Sequence, residues 1–114
     1  MTDRTPKLLV DALGAIDSIG EFLSGVSFAE YAANKMLRSA VERQFEILGE
    51  ACTRLVKLDP TWTQSVTHLK LAIDLRNRII HGYDSVDDEI VYFTAQDDLD
   101  GLQADLSRLL AQRG

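Results

Sequence analysis

Apolar residues return every three or four positions through most of this chain, and that period is met by amphipathic α-helices and little else. Leu9, Ala12, Ile16, Ile19 and Leu23 form one such stripe. They predict a helix from Pro6 to Ser24, with the proline in the first turn, where its missing N–H costs little. Ser24-Gly25-Val26-Ser27 predicts a turn, and Ser27 with Glu30 makes a capping box for a short helix from Phe28 to Ala33. Leu37, Val41, Phe45, Leu48, Cys52 and Leu55 then predict a long helix from Asn34 to Leu58. Asp59-Pro60-Thr61 breaks it, and Trp62 is expected to anchor packing near the break. A helix from Ser65 to His81 follows and stops at Gly82, read as a C′ residue. After a loop over Asp84–Asp87, a last helical stretch runs from near Asp87 to Gln112. Its second half carries Leu99, Leu102, Leu106 and Leu109, and a kink near Asp97–Gly101 fits the pattern. No alternating strand pattern, internal repeat or low-complexity tract appears. The expectation is one all-α domain over residues 1–114, an up-and-down bundle of about five helices.

Eighteen acids against twelve bases give a formal charge of −6. That excludes a general DNA-coating or membrane-surface protein, so neither DNA nor membrane is an expected partner. It still permits RNA, provided that a few clustered bases form a local phosphate-binding surface. Cys52 is the only cysteine and lies in the apolar stripe, where a small core thiol is expected. With no disulfide to form, no signal-like N-terminus and no span of about 18 apolar residues, the cytoplasm is the expected location.

One segment breaks the helical pattern. On a wheel of 100° per residue, Leu69, Ala72, Ile73, Leu75, Ile79 and Ile80 define a broad apolar arc, and Arg76 falls inside it. An arginine there is either buried with an acidic partner or faces another subunit or a ligand. Asn77 and His81 lie four residues apart on one face at the edge of the arc. His81 closes the helix, where the free carbonyls attract a cation. Gly82 allows a sharp turn that sets Tyr83 beside the imidazole. The residues alone admit either a helix-capping histidine or a proton-transfer site. The second would suit metal-free RNA cleavage: a base for the 2′-hydroxyl, a cation for the charge building on phosphate, and an acid for the leaving oxygen.

Arg76-Asn77-Arg78-Ile79-Ile80-His81-Gly82-Tyr83 resembles the R-x4-H-x-Y motif of the HepT-like toxins within the HEPN superfamily. Phe45-Glu46-Ile47-Leu48-Gly49-Glu50-Ala51 is similar to that family's "IIGEA" stretch. Val86-Asp87-Asp88-Glu89-Ile90-Val91-Tyr92 is similar to its "V-D-x-E-I-V-W" stretch, with Tyr92 in place of Trp. The order and spacing of the three pieces agree over nearly the whole chain. The resemblance implies a helical homodimer whose facing motifs share an RNA-cleaving cleft. It also implies a nucleotidyltransferase antitoxin as partner, which silences the toxin by moving AMP onto the motif tyrosine. Carried over, Arg76 and His81 would be catalytic, Asn77 would orient the site and Tyr83 would accept AMP. No cofactor or metal is implied. In such a dimer, the arc that carries Arg76 would be partly subunit interface.

Arg78, close to the motif in sequence, and Arg38 and Arg43 on the long helix are expected to contact RNA. Glu50 is read as a solvated helix-face acid, with pairing to an arginine as the alternative. A second class of function is a non-catalytic subunit that docks the nucleotidyltransferase; a dimer's charge of −12, twice −6, favours it by repelling RNA at long range. A phosphorelay bundle using His68 or His81 ranks last, since neither histidine has a solvent-facing setting followed by a small-residue notch. Two histidines without an H-E-x-x-H or a cysteine pair do not indicate zinc.

Overall fold

The computed structural model describes residues 3–61 and 67–113. Trp62 and the expected start of the fourth helix at Ser65 lie outside the described residues. Six α-helices and one 3₁₀ turn are described: α1 (Thr5–Leu23), α2 (Phe28–Ala33), α3 (Lys35–Leu58), α4 (Thr67–His81), a 3₁₀ turn (Tyr83–Ser85), α5 (Asp88–Asp97) and α6 (Leu99–Arg113). No strand occurs among the described residues, so the architecture is all-α as the periodicity predicts.

The stripes become the core. Leu9, Ala12, Ile16, Ile19 and Leu23 of α1 are buried, as are Val41, Phe45, Leu48, Cys52 and Leu55 of α3. Leu69, Ala72, Leu75 and Ile79 of α4 join them, with Leu99, Leu102 and Leu106 of α6. Each such large side chain stabilises the fold by about 1.5–3 kcal/mol before ordering entropy is subtracted. Burial also pushes the Cys52 thiol up to about 12, which makes it an inert packing group.

The helix ends obey local chemistry. Glu30 donates its backbone N–H to Ser27 Oγ (3.1 Å) and accepts Ser27 N–H on Oε1 (3.2 Å), completing the capping box. Asn34 Oδ1 accepts from Leu37 N–H at 3.0 Å and opens α3. Asp87 Oδ1 accepts from Glu89 and Ile90 N–H and opens α5. Gly25, at φ 72°, is the one described residue with positive φ.

Two expectations need correction. Gly82 is not a left-handed C′ residue: its φ is −130° and it leads into the 3₁₀ turn. The last stretch is two helices rather than one, interrupted at Asp98, within the Asp97–Gly101 segment where a kink is expected; the Asp98 N–H still donates to the Thr94 carbonyl at 3.0 Å. The count among the described residues is therefore six. Ile80, on the apolar arc that carries Arg76, is 39% exposed.

α3 is the central element, packed along both α1 and α4. α6 braces α1 through Gln103 Nε2 donating to Asp17 Oδ1 (2.8 Å), and it meets α4 where His68 lies over Gly101. α2 and α5 close one end through Phe28, Tyr31, Tyr92 and Phe93, with ring centroids 5.1–5.7 Å apart. Tyr92 Oη donates to the Val26 carbonyl at 2.5 Å, an anchor that an indole in this place would make differently. Among the described residues, no helix is long and apolar enough to cross a membrane.

Candidate active site

The site begins with a missing side chain. Gly49, in the middle of α3, faces Arg76 of α4 so closely that a Cβ added to it would lie 2.2 Å from Arg76 Cβ, 2.7 Å from Cγ and 3.0 Å from the Ala72 carbonyl. Only glycine allows the two helices this approach. The stem of Arg76 therefore crosses α3 over Gly49, and its head emerges beside the next residue, Glu50.

Arg76 Nη2 donates to Glu50 Oε2 at 3.0 Å, and Nη1 donates to Asn77 Oδ1 at 3.0 Å. Glu50 Oε1 also accepts from Arg54 Nε at 3.0 Å, so one carboxylate lies between two guanidiniums. The arginine is three-quarters buried at its side chain, and its Nε is buried with no acceptor among the described residues. A guanidinium has five N–H donors. Two point at Glu50 and Asn77, which fix its plane, and others remain for an incoming oxyanion.

This arrangement corrects the reading of Glu50 as a merely solvated acid. It also resolves the two alternatives for Arg76, because the acidic partner is present within the chain and the head still borders an open groove. That groove has a cavity of about 420 Å³, between α1, α3 and α4, lined by Arg76 and Ile80 together with Arg43, Glu46, Glu50 and Arg54.

The other sequence-derived candidates distribute unevenly. Asn77 is exposed and bonded to Arg76. His81 is exposed at the last position of α4. Five residues of helix place it about 140° around and roughly 7.5 Å along from Arg76, so the two side chains leave the helix in different directions. Tyr83 opens the 3₁₀ turn, and its side chain lies outside the described part of the structure. Arg43 lines the Arg76 groove while pairing with Glu46 at 3.1 Å.

Arg78 faces elsewhere, into a cavity of about 240 Å³ bordered by Gly82, Asp87 and Ile90. Arg38 ties helices together: it donates to the Ala32 carbonyl and lies 3.8 Å from Asp88 Oδ2. His68 is half-buried, with Nδ1 4.0 Å from Asp105 Oδ2. Among the described residues, no group of three or more His, Cys, Asp or Glu side chains is placed to hold a metal ion.

Sequence reasoning missed two members of the site. Arg54 was visible as the i+4 partner of Glu50, the favourable helical order of acid before base. Gly49 was visible as a glycine inside a helix, where its intrinsic cost asks for a packing reason.

Comparison with known proteins agrees with the resemblance. Residues 12–109 match the family described as Ribonuclease HepT-like. A Methanocaldococcus jannaschii protein named as a candidate RNase is 32% identical over 100 residues, covering 87% of this chain and 91% of its own length. "Probable ribonuclease HepT" of Thermococcus cleftensis is 28% identical over 101 residues, covering 89% and 91%. No solved structure matches the chain.

Proposed function

The chain belongs to the HepT-like ribonuclease family, and from that premise we propose that it is a metal-independent endoribonuclease, the toxin of a toxin–nucleotidyltransferase pair. The observation that carries the reading is Arg76, held by Glu50 and Asn77 with spare donors at the rim of an open groove.

In this reading His81 takes the proton from a ribose 2′-hydroxyl. The 2′-oxygen attacks the adjacent phosphorus, and the bond to the 5′-oxygen breaks. A protonated histidine returns a proton to that oxygen, leaving a 2′,3′-cyclic phosphate and a 5′-hydroxyl. Arg76 offsets the charge that builds on the non-bridging oxygens, a role suited to a donor fixed in advance. Because Arg76 and His81 diverge on one helix, the site is completed by a second protomer. Each copy then brings its arginine toward the other's histidine. The exposed Ile80 beside Arg76 suits a partly apolar subunit contact.

Tyr83 is the switch. Its phenolic oxygen attacks the α-phosphorus of ATP bound to the partner enzyme, pyrophosphate leaves, and the phenol loses its proton. The AMP phosphate then occupies the cleft and repels RNA by the charge rules that govern phosphorylation.

The test is RNA cleavage by purified protein in EDTA, with analysis of the product ends. Cyclic phosphate ends are expected, and His81→Ala should lower the rate by about 10²–10⁴-fold. Equal cleavage by His81→Ala rejects the assignment. Protein that co-purifies with the nucleotidyltransferase and cuts no RNA would instead support the docking-subunit function, which the net charge of −6 favours. For the switch, incubation with the partner and ATP should add AMP to the wild type and none to Tyr83→Phe.

A further inference from the structure

The Arg76 groove continues into a second cavity of about 430 Å³ at the end of the bundle, and the two share Leu8, Asp11 and Arg54. Together they are lined by six bases: Arg4, Lys7, Arg43, Arg54, Lys57 and Arg76. The acids in the lining are Asp11, Glu46 and Glu50, so the strip is formally positive by three. The chain as a whole carries −6 from 12 bases and 18 acids. Half of its bases therefore stand on this strip, and the remainder of the molecule holds six bases against fifteen acids.

The segregation follows from helical spacing. Arg43, Glu46, Glu50, Arg54 and Lys57 recur in steps of three and four along one face of α3, as do Arg4, Lys7 and Asp11 along the start of α1. α1 and α3 run antiparallel, which brings Arg4 and Lys7 beside Arg54 and Lys57. From Arg43 to Lys57 the α3 face extends about 21 Å, at 1.5 Å per residue.

We infer that this strip is the track along which the phosphate backbone of single-stranded RNA is held on either side of the cut bond. The inference rests on the ribonuclease reading and gives that site its substrate path. An acidic protein that cuts a polyanion needs a local positive lane, because the rest of its surface repels the substrate. Three of the strip's four ion pairs do not block it: Lys7 with Asp11 (2.7 Å), Arg43 with Glu46 (3.1 Å) and Arg54 with Glu50 (3.0 Å) have bases 58–76% exposed, while Arg76, 25% exposed and paired with Glu50 at 3.0 Å, meets phosphate through its spare N–H donors. Pairs that open to water hold little energy and give way readily to a phosphate. The single strand is the fitting occupant because the 2′-oxygen must swing into line with the leaving oxygen, which a regular A-form helix prevents.

The test is fluorescence anisotropy with a 2′-O-methyl oligoribonucleotide, which binds and cannot be cut, titrated at several salt concentrations. Six phosphate contacts give a slope of about −4 in log K against log salt, or about a 300-fold loss of affinity from 50 to 200 mM. The triple variant Arg4→Gln, Lys7→Gln, Lys57→Gln removes three contacts outside the catalytic set. Its slope should fall to about −2, a loss of about 20-fold over the same range. The charge-preserving variant Arg4→Lys, Lys57→Arg should keep the wild-type slope, which separates a lost charge from a lost fold.

An unchanged slope and affinity in the triple variant overturns the strip, and if the wild type still cuts RNA the ribonuclease reading stands without it. A wild type that binds with the expected slope but never cuts would refute the ribonuclease reading and leave the strip as an RNA-binding face. A triple variant that keeps RNA affinity but releases the nucleotidyltransferase shows a protein-docking face and also overturns the inference.

Discussion

Replacing Gly49 with alanine should break the site by adding one carbon atom. The new Cβ would lie 2.2 Å from Arg76 Cβ, which is fixed to the backbone of α4 and cannot rotate away. Ordinary carbon contact needs about 3.5–4.0 Å. α3 and α4 must therefore part by roughly 1.5 Å at their crossing. Overpacking of this kind costs about 1–3 kcal/mol, while glycine to alanine in a helix returns up to about 1 kcal/mol. The net loss is about 1–2 kcal/mol, which for a domain of this size moves a urea midpoint down by about 0.5–1 M. The same displacement pulls Glu50 away from Arg76 and should slow cleavage about 100-fold. Gly14 and Gly20 on α1 provide the control, because a Cβ added to either meets nothing within 4 Å. Gly14→Ala and Gly20→Ala should stabilise the protein by up to about 1 kcal/mol. A Gly49→Ala protein that unfolds at or above the wild-type midpoint, like these controls, refutes the reasoning.

Glu50→Gln should change the unfolding free energy measured in urea by no more than about 1 kcal/mol, since the Glu50 carboxylate itself is 41% exposed. Cleavage should nevertheless fall about 100-fold as Arg76 loses its orientation, with Glu50→Asp recovering part of the rate. Tyr92→Phe should cost about 1 kcal/mol in denaturant unfolding through the lost bond to the Val26 carbonyl. Glu42 has its carboxyl raised above the usual range, first by burial and then by Asp88. The folded state therefore holds that proton more tightly, and stability is lost as pH rises past the unfolded value and through the folded one. Glu42→Gln should accordingly unfold at a higher temperature than wild type at pH 7, with the gain vanishing at a pH below the ordinary glutamate value.

The helices were legible because their buried stripes are local: Leu9 to Leu23 and Val41 to Leu55 keep step with the α-helical period. The break at Asp98 falls inside the Asp97–Gly101 segment where a kink is expected, but the buried residues on its two sides, Val91 and Tyr92 before it and Leu99 and Leu102 after it, do not separate a kink from a full interruption. Gly82 misled because a glycine after a helix usually takes positive φ, whereas here the chain tightens directly into a 3₁₀ turn. Arg78 shows the hazard of equating nearness in sequence with nearness in space. Two residues along a helix is about 200° around it, and Arg78 faces a different cavity from Arg76. The Glu50–Arg76 bond joins residues 26 apart, a contact set by how α3 and α4 pack rather than by any local rule. The motif residues were visible as chemistry; the glycine that makes room for them became intelligible only through that packing.

Subunit complementation tests the proposed composite site most directly. Arg76→Ala and His81→Ala proteins, each inactive alone, are mixed and allowed to exchange protomers before RNA cleavage is measured. A mixed dimer still holds one arginine and one histidine, on opposite copies. If the two act across the interface, the mixture should regain a substantial fraction of wild-type cleavage, with cyclic phosphate ends. A mixture that forms mixed dimers by native mass spectrometry and stays as inactive as its parents would contradict the account.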